Sequence, residues 1–304
     1  MIRQLLTIAL LTAFTLSAHT TLRAQGSDKP APKRVLRIIG FGAHPDDNEL
    51  RIGGTAILWA KAGHKVKLVS VTNGDIGHHT MAGGPLAQRR TGEVKRAAEI
   101  MGVEAQVLDI HDGELLPTLE NRKTITRLIR EWKADIVFCH RPWDYHPDHR
   151  YTGVLVQDAA FMVTVPYFCP DVPALKTNPV FMYYTDRFQK PYPFDPDVAV
   201  AIDNVFPQKL LALEQIQSQF LEWWQRNNPI DVDDPAVRQA TIKRIFATRW
   251  RRAVQQHPDL IKSIYGENAS KVHYAEAFEL CEYGRQPKRA ELLELFPIEA
   301  SIPK

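Results

Sequence analysis

The sequence predicts an α/β fold, a Rossmann-like, doubly wound and mostly parallel sheet with helices on both faces. Between residues 34 and 165, short β-branched apolar runs alternate with longer amphipathic stretches, as in parallel strands joined by crossover helices. The predicted strands are Val35–Phe41, Val66–Thr72, Ala105–Ile110 and Asp135–Cys139. The predicted helices between them are Gly54–Ala62, Leu86–Met101 and Asn121–Trp132. Gly63 and Gly102 follow two of these helices, where a left-handed C-cap favours glycine.

The pattern changes after residue 165, where several prolines interrupt the chain. Two further strands and two long helices follow by periodicity, namely Val180–Thr185, Val198–Ile202, Lys209–Arg226 and Ala236–Gln256. We expect the strands to complete the sheet or to form a small adjoining layer. The sequence thus predicts one domain over residues 34–304, with a core over 34–165 and a C-terminal helical and strand decoration over 166–304.

Residues 1–25 have the pattern of a secretory signal peptide. A short charged start precedes the apolar run Leu5–Ala18, and small and polar residues follow around Ala24. The apolar run is shorter than the roughly 20 residues that span a bilayer. We therefore expect export to the periplasm or the extracellular space after cleavage, without stable membrane insertion.

Charge and cysteine content limit the classes of protein. The formal net charge of +3 is small for 304 residues, so nucleic acid is not an expected partner. Three cysteines exclude a disulfide framework but allow one bridge. The last predicted helix carries six basic residues, Arg238, Lys243, Arg244, Arg249, Arg251 and Arg252. Such a helix binds anionic lipid or nucleic acid in some proteins, but we favour a solvated face packed beside the core.

Two turns rich in metal ligands follow the first and fourth predicted strands. The first turn spans Gly42–Glu49 and contains one histidine and three carboxylates; the second spans His146–His149. Parallel strands carry their carboxyl ends to one edge of a sheet, and ligands bind there near the point where strand order reverses. We therefore expect the two turns to form one site.

A hydrolytic zinc site uses three protein ligands and leaves one position for water, whose acidity the metal raises. His44, Asp47 and His149 supply such a set, and Asp46 is then free to accept the proton of the activated water. Ligands of this kind also suit Fe²⁺ and other divalent metals. Either turn alone is more often a plain turn or a helix cap, so the prediction depends on the two together.

Two more residues of the second turn have expected roles in catalysis. His146 is placed to stabilise the oxyanion of a tetrahedral intermediate or to protonate the leaving nitrogen. Asp148 is expected to orient a neighbouring histidine through a hydrogen bond.

The same residues resemble the PIG-L/LmbE-like deacetylases. The resemblance covers about residues 35–165 and is carried by Ala43–Asp47, Glu49 with Gly53-Gly54-Thr55, Thr72–Asp75 and His146–His149. It implies zinc at His44, Asp47 and His149, with Asp46 as the general base and His146 as its partner. Family members place a glutamate directly after the aspartate pair or one residue later, and Glu49 matches the second arrangement. The resemblance implies that Glu49 supports the ligands.

Several residues near the expected site are weaker candidates for substrate contacts. Arg89 and Arg90 begin a helix after a glycine-rich turn, and the resemblance gives one of them a role with substrate hydroxyls or phosphate. His78 and His79 follow Asp75 in a loop bounded by glycines, and Asp144 precedes the second turn.

The combined prediction is a zinc-dependent hydrolase that removes an N-acetyl group from an amino sugar or a related amide. The partner is then a small molecule or glycan that carries an N-acetyl group, and the sequence does not predict the oligomeric state. One alternative is a non-catalytic glycan-binding module with a structural metal, although structural zinc sites favour four ligands and cysteine. The other is a metal phosphoesterase, which would prefer two metal ions and more carboxylates.

Overall fold

Seven strands form one sheet in the part of the chain that the computed structural model describes, residues 34–303. The strand order is β3-β2-β1-β4-β5-β7-β6. The strands are β1 (Arg37–Gly42), β2 (Lys65–Ser70), β3 (Glu104–Val107), β4 (Ile136–Cys139), β5 (Val180–Tyr184), β6 (Val198–Ala201) and β7 (Ala275–Gly284). The first five strands pair in parallel, whereas β7 is antiparallel to both β5 and β6. The predicted mostly parallel sheet is confirmed; the predicted signal peptide lies outside the described residues.

Helices cover both faces of this sheet. They are α1 (Asp47–Lys61), α2 (Gly83–Met101), α3 (Leu119–Trp132), α4 (Pro147–Met162), α5 (Phe206–Glu214), α6 (Pro235–Gln256), α7 (Pro258–Tyr265), α8 (Arg289–Glu294) and α9 (Ile298–Ser301). Helices α1, α2, α5 and α6 share a core with Ile38 and Phe138 of the sheet. Helices α3 and α4 share the opposite core with Ile39 and Val137. Successive strand residues point to opposite faces, so the buried strands are apolar on both sides.

The order of the strands reverses between β1 and β4. From β1 the chain continues outward through β2 and β3, and then returns to the other side of β1 to form β4 and β5. The turn after β1 and the turn after β4 therefore open into the same crevice, which is where doubly wound sheets bind ligands. The described chain thus brings the two ligand-rich turns together.

Several element boundaries differ from the prediction. Helix α1 begins at Asp47 instead of Gly54, since the backbone N–H of Leu50 donates to the Asp46 carbonyl at 3.1 Å. The helix continues through Gly54, where the Glu276 carboxylate accepts hydrogen bonds from the backbone N–H groups of Gly54 and Thr55. The predicted helix over 209–226 is interrupted, since α5 ends at Glu214 and a short π-helix follows over Ser218–Trp223.

Strand β7 and the helices α4, α7, α8 and α9 were absent from the prediction. Strand β7 contains charged residues within an apolar pattern, and its Glu276 and Glu279 are buried by contacts distant in sequence. Helix α4 begins directly in the second ligand-rich turn, with Pro147 in its first turn. The predicted strands complete the same sheet as the core instead of a separate layer.

All three cysteines are buried and free, so the bridge that the sequence allowed is not formed. Among the helices of residues 34–303, none combines the length and the apolarity that crossing a bilayer requires.

A buried ion pair joins α1, α5 and β7 behind the ligand-rich edge. Lys209 donates to the Leu50 carbonyl at 2.9 Å and to the Glu276 carboxylate. Its ammonium also lies 4.0 Å from the ring centroid of Trp250. Both charged side chains are nearly inaccessible, and burial lowers the pKa of Lys209 to about 8 although Glu276 opposes the shift. The network therefore holds the middle of α1 against the C-terminal elements.

Replacing Glu276 by alanine is expected to lower the free energy of unfolding by about 3–5 kcal/mol, because Lys209 is left as an uncompensated buried charge. Urea denaturation measures the change. Glu104→Ala is the control, since Glu104 is exposed and pairs with Lys67 at 3.5 Å, and surface pairs contribute less than about 1 kcal/mol. Equal losses in the two variants would contradict a role of the buried pair in stability.

Candidate metal centre and active site

Three side chains from the two turns bring one donor atom each into a small triangle. His44 Nδ1 lies 3.2 Å from His149 Nε2. Asp47 Oδ2 lies 3.5 Å from His44 Nδ1 and 3.3 Å from His149 Nε2. A tetrahedral ion about 2.1 Å from its ligands separates them by about 3.4 Å. The predicted set therefore has the spacing that one divalent metal ion requires.

Short local interactions fix the two turns. In the first turn, the backbone N–H of His44 donates to Asp47 Oδ2 at 2.9 Å, and α1 begins at Asp47. In the second turn, His146 is the N-cap of α4, and its Nδ1 accepts a hydrogen bond from the backbone N–H of Asp148 at 3.2 Å. His149 consequently projects from the first turn of α4 towards His44.

Carboxylates hold the remaining ring nitrogens of the two histidines. His44 Nε2 lies 3.0 Å from Asp112 Oδ1 and 3.2 Å from Asp148 Oδ2. His149 Nδ1 lies 3.1 Å from Asp144 Oδ2. Carboxylates in this position fix the tautomer and the orientation of metal-binding histidines. With a metal ion bound, each imidazole would present an unprotonated nitrogen to the triangle. Without one, burial opposes but the nearby carboxylates prevail, and the pKa values of His44 and His149 are raised.

The carboxylates of this cluster remain ionised. Burial alone would raise the pKa of Asp47, but the charge of His149 and its hydrogen bond hold that pKa well below its usual range. Hydrogen bonds with His44 likewise outweigh burial and lower the pKa values of Asp112 and Asp148. Buried negative charge requires a counter-charge. The residues of the triangle thus fit a bound cation in both chemistry and spacing.

Asp46, the predicted general base, pairs with a buried arginine. Arg90 Nη2 donates to Asp46 Oδ1 at 3.3 Å, and Arg90 Nη1 donates to the Gly74 carbonyl at 3.0 Å. Burial raises the pKa of Asp46, and the charge of Arg90 offsets only part of the rise. A carboxylate whose pKa moves towards neutrality is better suited to accept a proton.

Glycine is required where the loop after β2 surrounds this arginine. Gly74 has a φ of +70°, and a Cβ on it would lie 2.4 Å from Arg90 Nη1. The loop therefore holds the guanidinium against Asp46 only because Gly74 lacks a side chain.

Sequence reasoning missed two residues of the cluster, His140 and Asp112. The His140 ring stacks on that of His149 with centroids 4.2 Å apart. Burial lowers the pKa of His140 to about 4, and its Nε2 accepts a hydrogen bond from the backbone N–H of Ala43 at 3.2 Å. Both residues follow parallel strands, β4 and β3, which is the signal that would have indicated them.

Most of the predicted substrate contacts have partners within the protein. Arg89 pairs with Glu222, which also lies 3.1 Å from His78 Nε2. His79 is exposed, and its ring stacks on Trp223 with a centroid distance of 6.2 Å. The other partners are Asp46 for Arg90, His111 for Asp75 and His149 for Asp144. Their contact with substrate stays a prediction.

Glu49 lies buried in the first turn of α1, and burial raises its pKa to about 8. Its Oε2 accepts no hydrogen bond from the residues that the structure describes. The supporting role that the resemblance implies for it stays a prediction.

Exposed aromatic side chains lie beside the cluster. Tyr145 is 73% exposed, although its ring centroid lies only 5.8 Å from those of His146 and His149. Trp143 is also exposed and contacts Tyr192. Aromatic faces of this kind pack against apolar parts of a ligand, so this rim is suited to a ring-shaped substrate.

A histidine and aspartate cluster at the point of strand reversal in a doubly wound sheet suits a metal-dependent hydrolase. The comparison with family models agrees, because the PIG-L model, described as "GlcNAc-PI de-N-acetylase", matches residues 39–160. The chain belongs to this family.

Relatives with assigned names extend over more of the chain than the family model. The chain is 34% identical over 199 residues to diacetylchitobiose deacetylase of Thermococcus kodakarensis, an alignment that covers 62% of this chain and 72% of the relative. It is 28% identical over 190 residues to the probable N-acetyl-α-D-glucosaminyl L-malate deacetylase 2 of Bacillus anthracis. This alignment covers 58% of this chain and 78% of the relative.

Solved structures share the fold. An N,N'-diacetylchitobiose deacetylase from Pyrococcus horikoshii superimposes with a TM-score of 0.61 at 25% identity, covering 80% of this chain and 83% of that one. The 4-carboxy-2-hydroxymuconate hydratase of Pseudomonas putida gives a TM-score of 0.64 at 20% identity. The superposition covers 83% of this chain and 99% of the hydratase. The second likeness concerns the fold alone, and the reaction must be argued from the site.

Replacing His149 by alanine is expected to abolish metal binding, because two ligands remain in the triangle. Metal analysis of purified protein by mass spectrometry should give about one ion per wild-type chain. Exposed His273, which pairs with Asp203 outside the cluster, provides the control His273→Ala, which should retain the metal. Two ions per wild-type chain would favour the phosphoesterase alternative.

Gly74→Ala is expected to reduce kcat/KM at least tenfold, since the added methyl group displaces Arg90 from Asp46. Gly63→Ala is the matched control: Gly63 has a φ of +83°, and no other atom lies within 4 Å of the place that its new methyl group would take. Both variants carry similar backbone strain, of about 1–3 kcal/mol. Kinetics are compared at a temperature where both proteins are folded by circular dichroism. Equal activities would refute the steric explanation.

Proposed function

We propose that the protein is a metal-dependent deacetylase that hydrolyses the N-acetyl group of an amino sugar to acetate and a free amine. The observation that carries the proposal is the triangle of His44, Asp47 and His149 with Asp46 beside it. Both named relatives are deacetylases of N-acetylated sugars, and the chain belongs to the PIG-L family.

The metal that best suits the site is zinc, with Fe²⁺ as the alternative. His44, Asp47 and His149 would hold it, because two imidazoles and one carboxylate are a ligand set of catalytic zinc. When bound, the cation supplies Lewis acidity, which lowers the pKa of water and polarises the amide carbonyl. The family is metal-dependent, while the identity of the ion is part of this proposal.

Asp46 accepts the proton of the attacking water. Arg90 donates a hydrogen bond to Asp46 Oδ1. The other carboxylate oxygen of Asp46 is therefore the one that accepts the proton. The water oxygen forms a bond to the amide carbon, and the C–N bond breaks in the second step. The proton moves from Asp46 towards the departing nitrogen, so the carboxylate is regenerated.

His146 donates a hydrogen bond to the oxyanion or a proton to the departing amine. Its Nδ1 already accepts the Asp148 N–H, so the neutral ring carries its hydrogen on Nε2. Burial lowers the pKa of His146. The ring is therefore a neutral donor at neutral pH, which suits stabilisation of developing negative charge.

Two alternatives fit the site less well. Structural zinc sites favour cysteine ligands, whereas the donor groups that lie together here are histidines and aspartates. A two-metal phosphoesterase would have a second ligand set about 3.5–4 Å from the first. The remaining carboxylates, Asp112, Asp144 and Asp148, instead orient the two histidines of the triangle.

We also propose that the enzyme acts outside the cytoplasm. The support is the signal-like sequence of residues 1–25. Its substrate is then a small molecule or glycan with an N-acetyl group that is present in the periplasm or the surrounding medium.

Asp46→Asn is expected to bind the metal normally but to lower kcat by about 10²–10⁴-fold, the usual contribution of a general base. Acetate release from N,N'-diacetylchitobiose and N-acetylglucosamine conjugates measures turnover. Asp158→Asn, on α4 and paired with Arg122, is the control and should retain activity. Full activity of Asp46→Asn would show that the base is assigned wrongly.

Metal binding without acetate release from any compound of the panel would favour the glycan-binding module.

A further inference from the structure

A buried arginine contacts the loop that carries part of the aromatic rim, which consists of Trp143, Tyr145 and Tyr192. Arg141 follows β4 by two residues, and its side chain is almost inaccessible. Its guanidinium donates two hydrogen bonds of 2.7 Å to the carboxylate of Asp186. Paired hydrogen bonds of this kind fix the plane of a guanidinium as well as its position.

The same guanidinium holds the backbone of the loop between β5 and β6. It donates to the carbonyls of Phe188 and Tyr192 at 3.2 Å each. Asp186 Oδ1 in turn accepts a hydrogen bond from the backbone N–H of Phe188 at 3.0 Å. Residues 185–197 form no helix or strand, so the backbone groups of the loop depend on partners of this kind.

Two aromatic rings of this loop pack against residues that follow β4. Phe188 and Tyr145 have ring centroids 6.2 Å apart, and those of Tyr192 and Trp143 are 6.3 Å apart. The ring of Tyr145 also lies 5.8 Å from that of His149, one of the three residues of the triangle. Aromatic rings attract one another at such distances. A continuous series of contacts therefore runs from the buried guanidinium to the metal centre.

The rim remains open to solvent although two of its residues contact each other. Trp143 and Tyr192 are 40% and 44% exposed, and Tyr145 is 73% exposed. Exposed apolar residues that occur singly need no explanation, but a group of them marks a surface for binding. Here the group lies beside the histidine and aspartate cluster, and a buried ion pair holds the loop that carries Tyr192. The rim is thus suited to contact a ligand of the metal centre.

We propose that Arg141 is a positioning residue of the deacetylase, because it holds the loop that places the aromatic rim against the sugar ring of the substrate. The proposal rests on the deacetylase function and adds the residues that select a ring-bearing substrate. Each nitrogen of the Arg141 guanidinium has a partner within the protein, so Arg141 itself does not touch the substrate. Tyr145 contacts the sugar that carries the acetamide, since its ring lies beside that of His149.

The competing explanation is that Arg141 only stabilises the fold. In that case a change at Arg141 also disturbs the metal centre, since the preceding His140 stacks on His149. Every ligand of the metal then binds more weakly, and to the same degree. A positioning role instead weakens only the binding of ligands that have a ring, so a comparison of two ligands separates the explanations.

The test compares N,N'-diacetylchitobiose, which contains sugar rings, with acetohydroxamate, which chelates zinc and carries the acetyl group without a ring. Acetate release gives KM and kcat for the sugar. Calorimetry with the zinc-loaded protein gives the affinity for acetohydroxamate. Calorimetry in the Asp46→Asn background gives the affinity for the uncleaved sugar.

Three variants are compared, Tyr145→Ala, Phe188→Ala and Arg141→Met. Phe188→Ala removes a ring of the loop and leaves the buried ion pair intact, so it tests the proposal even if Arg141→Met does not fold.

The controls change exposed residues of the same kinds. Tyr167→Ala removes a ring that is 93% exposed and follows the C-terminal end of α4, away from His149. Arg127→Met breaks an exposed pair with Asp171 that also has two hydrogen bonds, of 2.6 and 3.1 Å.

Each aromatic variant should raise KM for the sugar about 3- to 10-fold with kcat within about twofold, which is the loss of one aromatic contact. The affinity for acetohydroxamate should not change. Arg141→Met should raise KM at least as much, but should add little when Tyr145 and Tyr192 are already alanine, because its effect passes through them. Both controls should behave as the wild type with both ligands.

Equal weakening of both ligands overturns the proposal, as does wild-type affinity for the sugar in both aromatic variants. The deacetylase function survives either result if acetate is still released. If the wild-type protein releases no acetate, the deacetylase function fails, and the calorimetric affinities still decide the role of the rim. A wild-type protein that does not bind the sugar at all contradicts the rim proposal as well.

Discussion

Buried contacts between carboxylates and imidazoles determine the geometry of the whole site. Asp148 and Asp112 hold the outer nitrogen of His44, and Asp144 holds that of His149. Without these contacts the two rings could rotate, and the triangle with Asp47 would lose its spacing. The same contacts require the carboxylates to remain charged in a buried place, which makes a bound cation the natural complement of the cluster.

The sheet topology brings the residues of the metal centre together, and the C-terminal segment stabilises their positions. Because strand order reverses between β1 and β4, the turns after those strands share one crevice. The Lys209–Glu276 pair then anchors α1 at Leu50 and Gly54, within two turns of Asp47. The segment after residue 165 therefore stabilises the helix on which the metal centre depends.

The proposed catalytic residues and the residues that surround them come from different parts of the chain. The proposed catalytic residues lie within the region that the family model matches, residues 39–160. Tyr192 of the aromatic rim and the π-helix with Trp223 come later in the chain. A hydratase with a similar fold shows that the architecture does not fix the reaction. Variation of these later elements offers a physical route to different substrates around one catalytic centre.

The sequence by itself determined the parallel core and the two ligand-rich turns, because apolar periodicity and the residues at strand ends are local signals. It indicated His44, Asp47 and His149 for the same reason. Only the tertiary structure decided the antiparallel strand β7 and the inclusion of Asp112 and His140. Those features depend on contacts between residues far apart in the chain, such as Glu276 with Gly54 and His44 with Asp112. Local pattern carries no information about such distant partners, so folding alone brings them together.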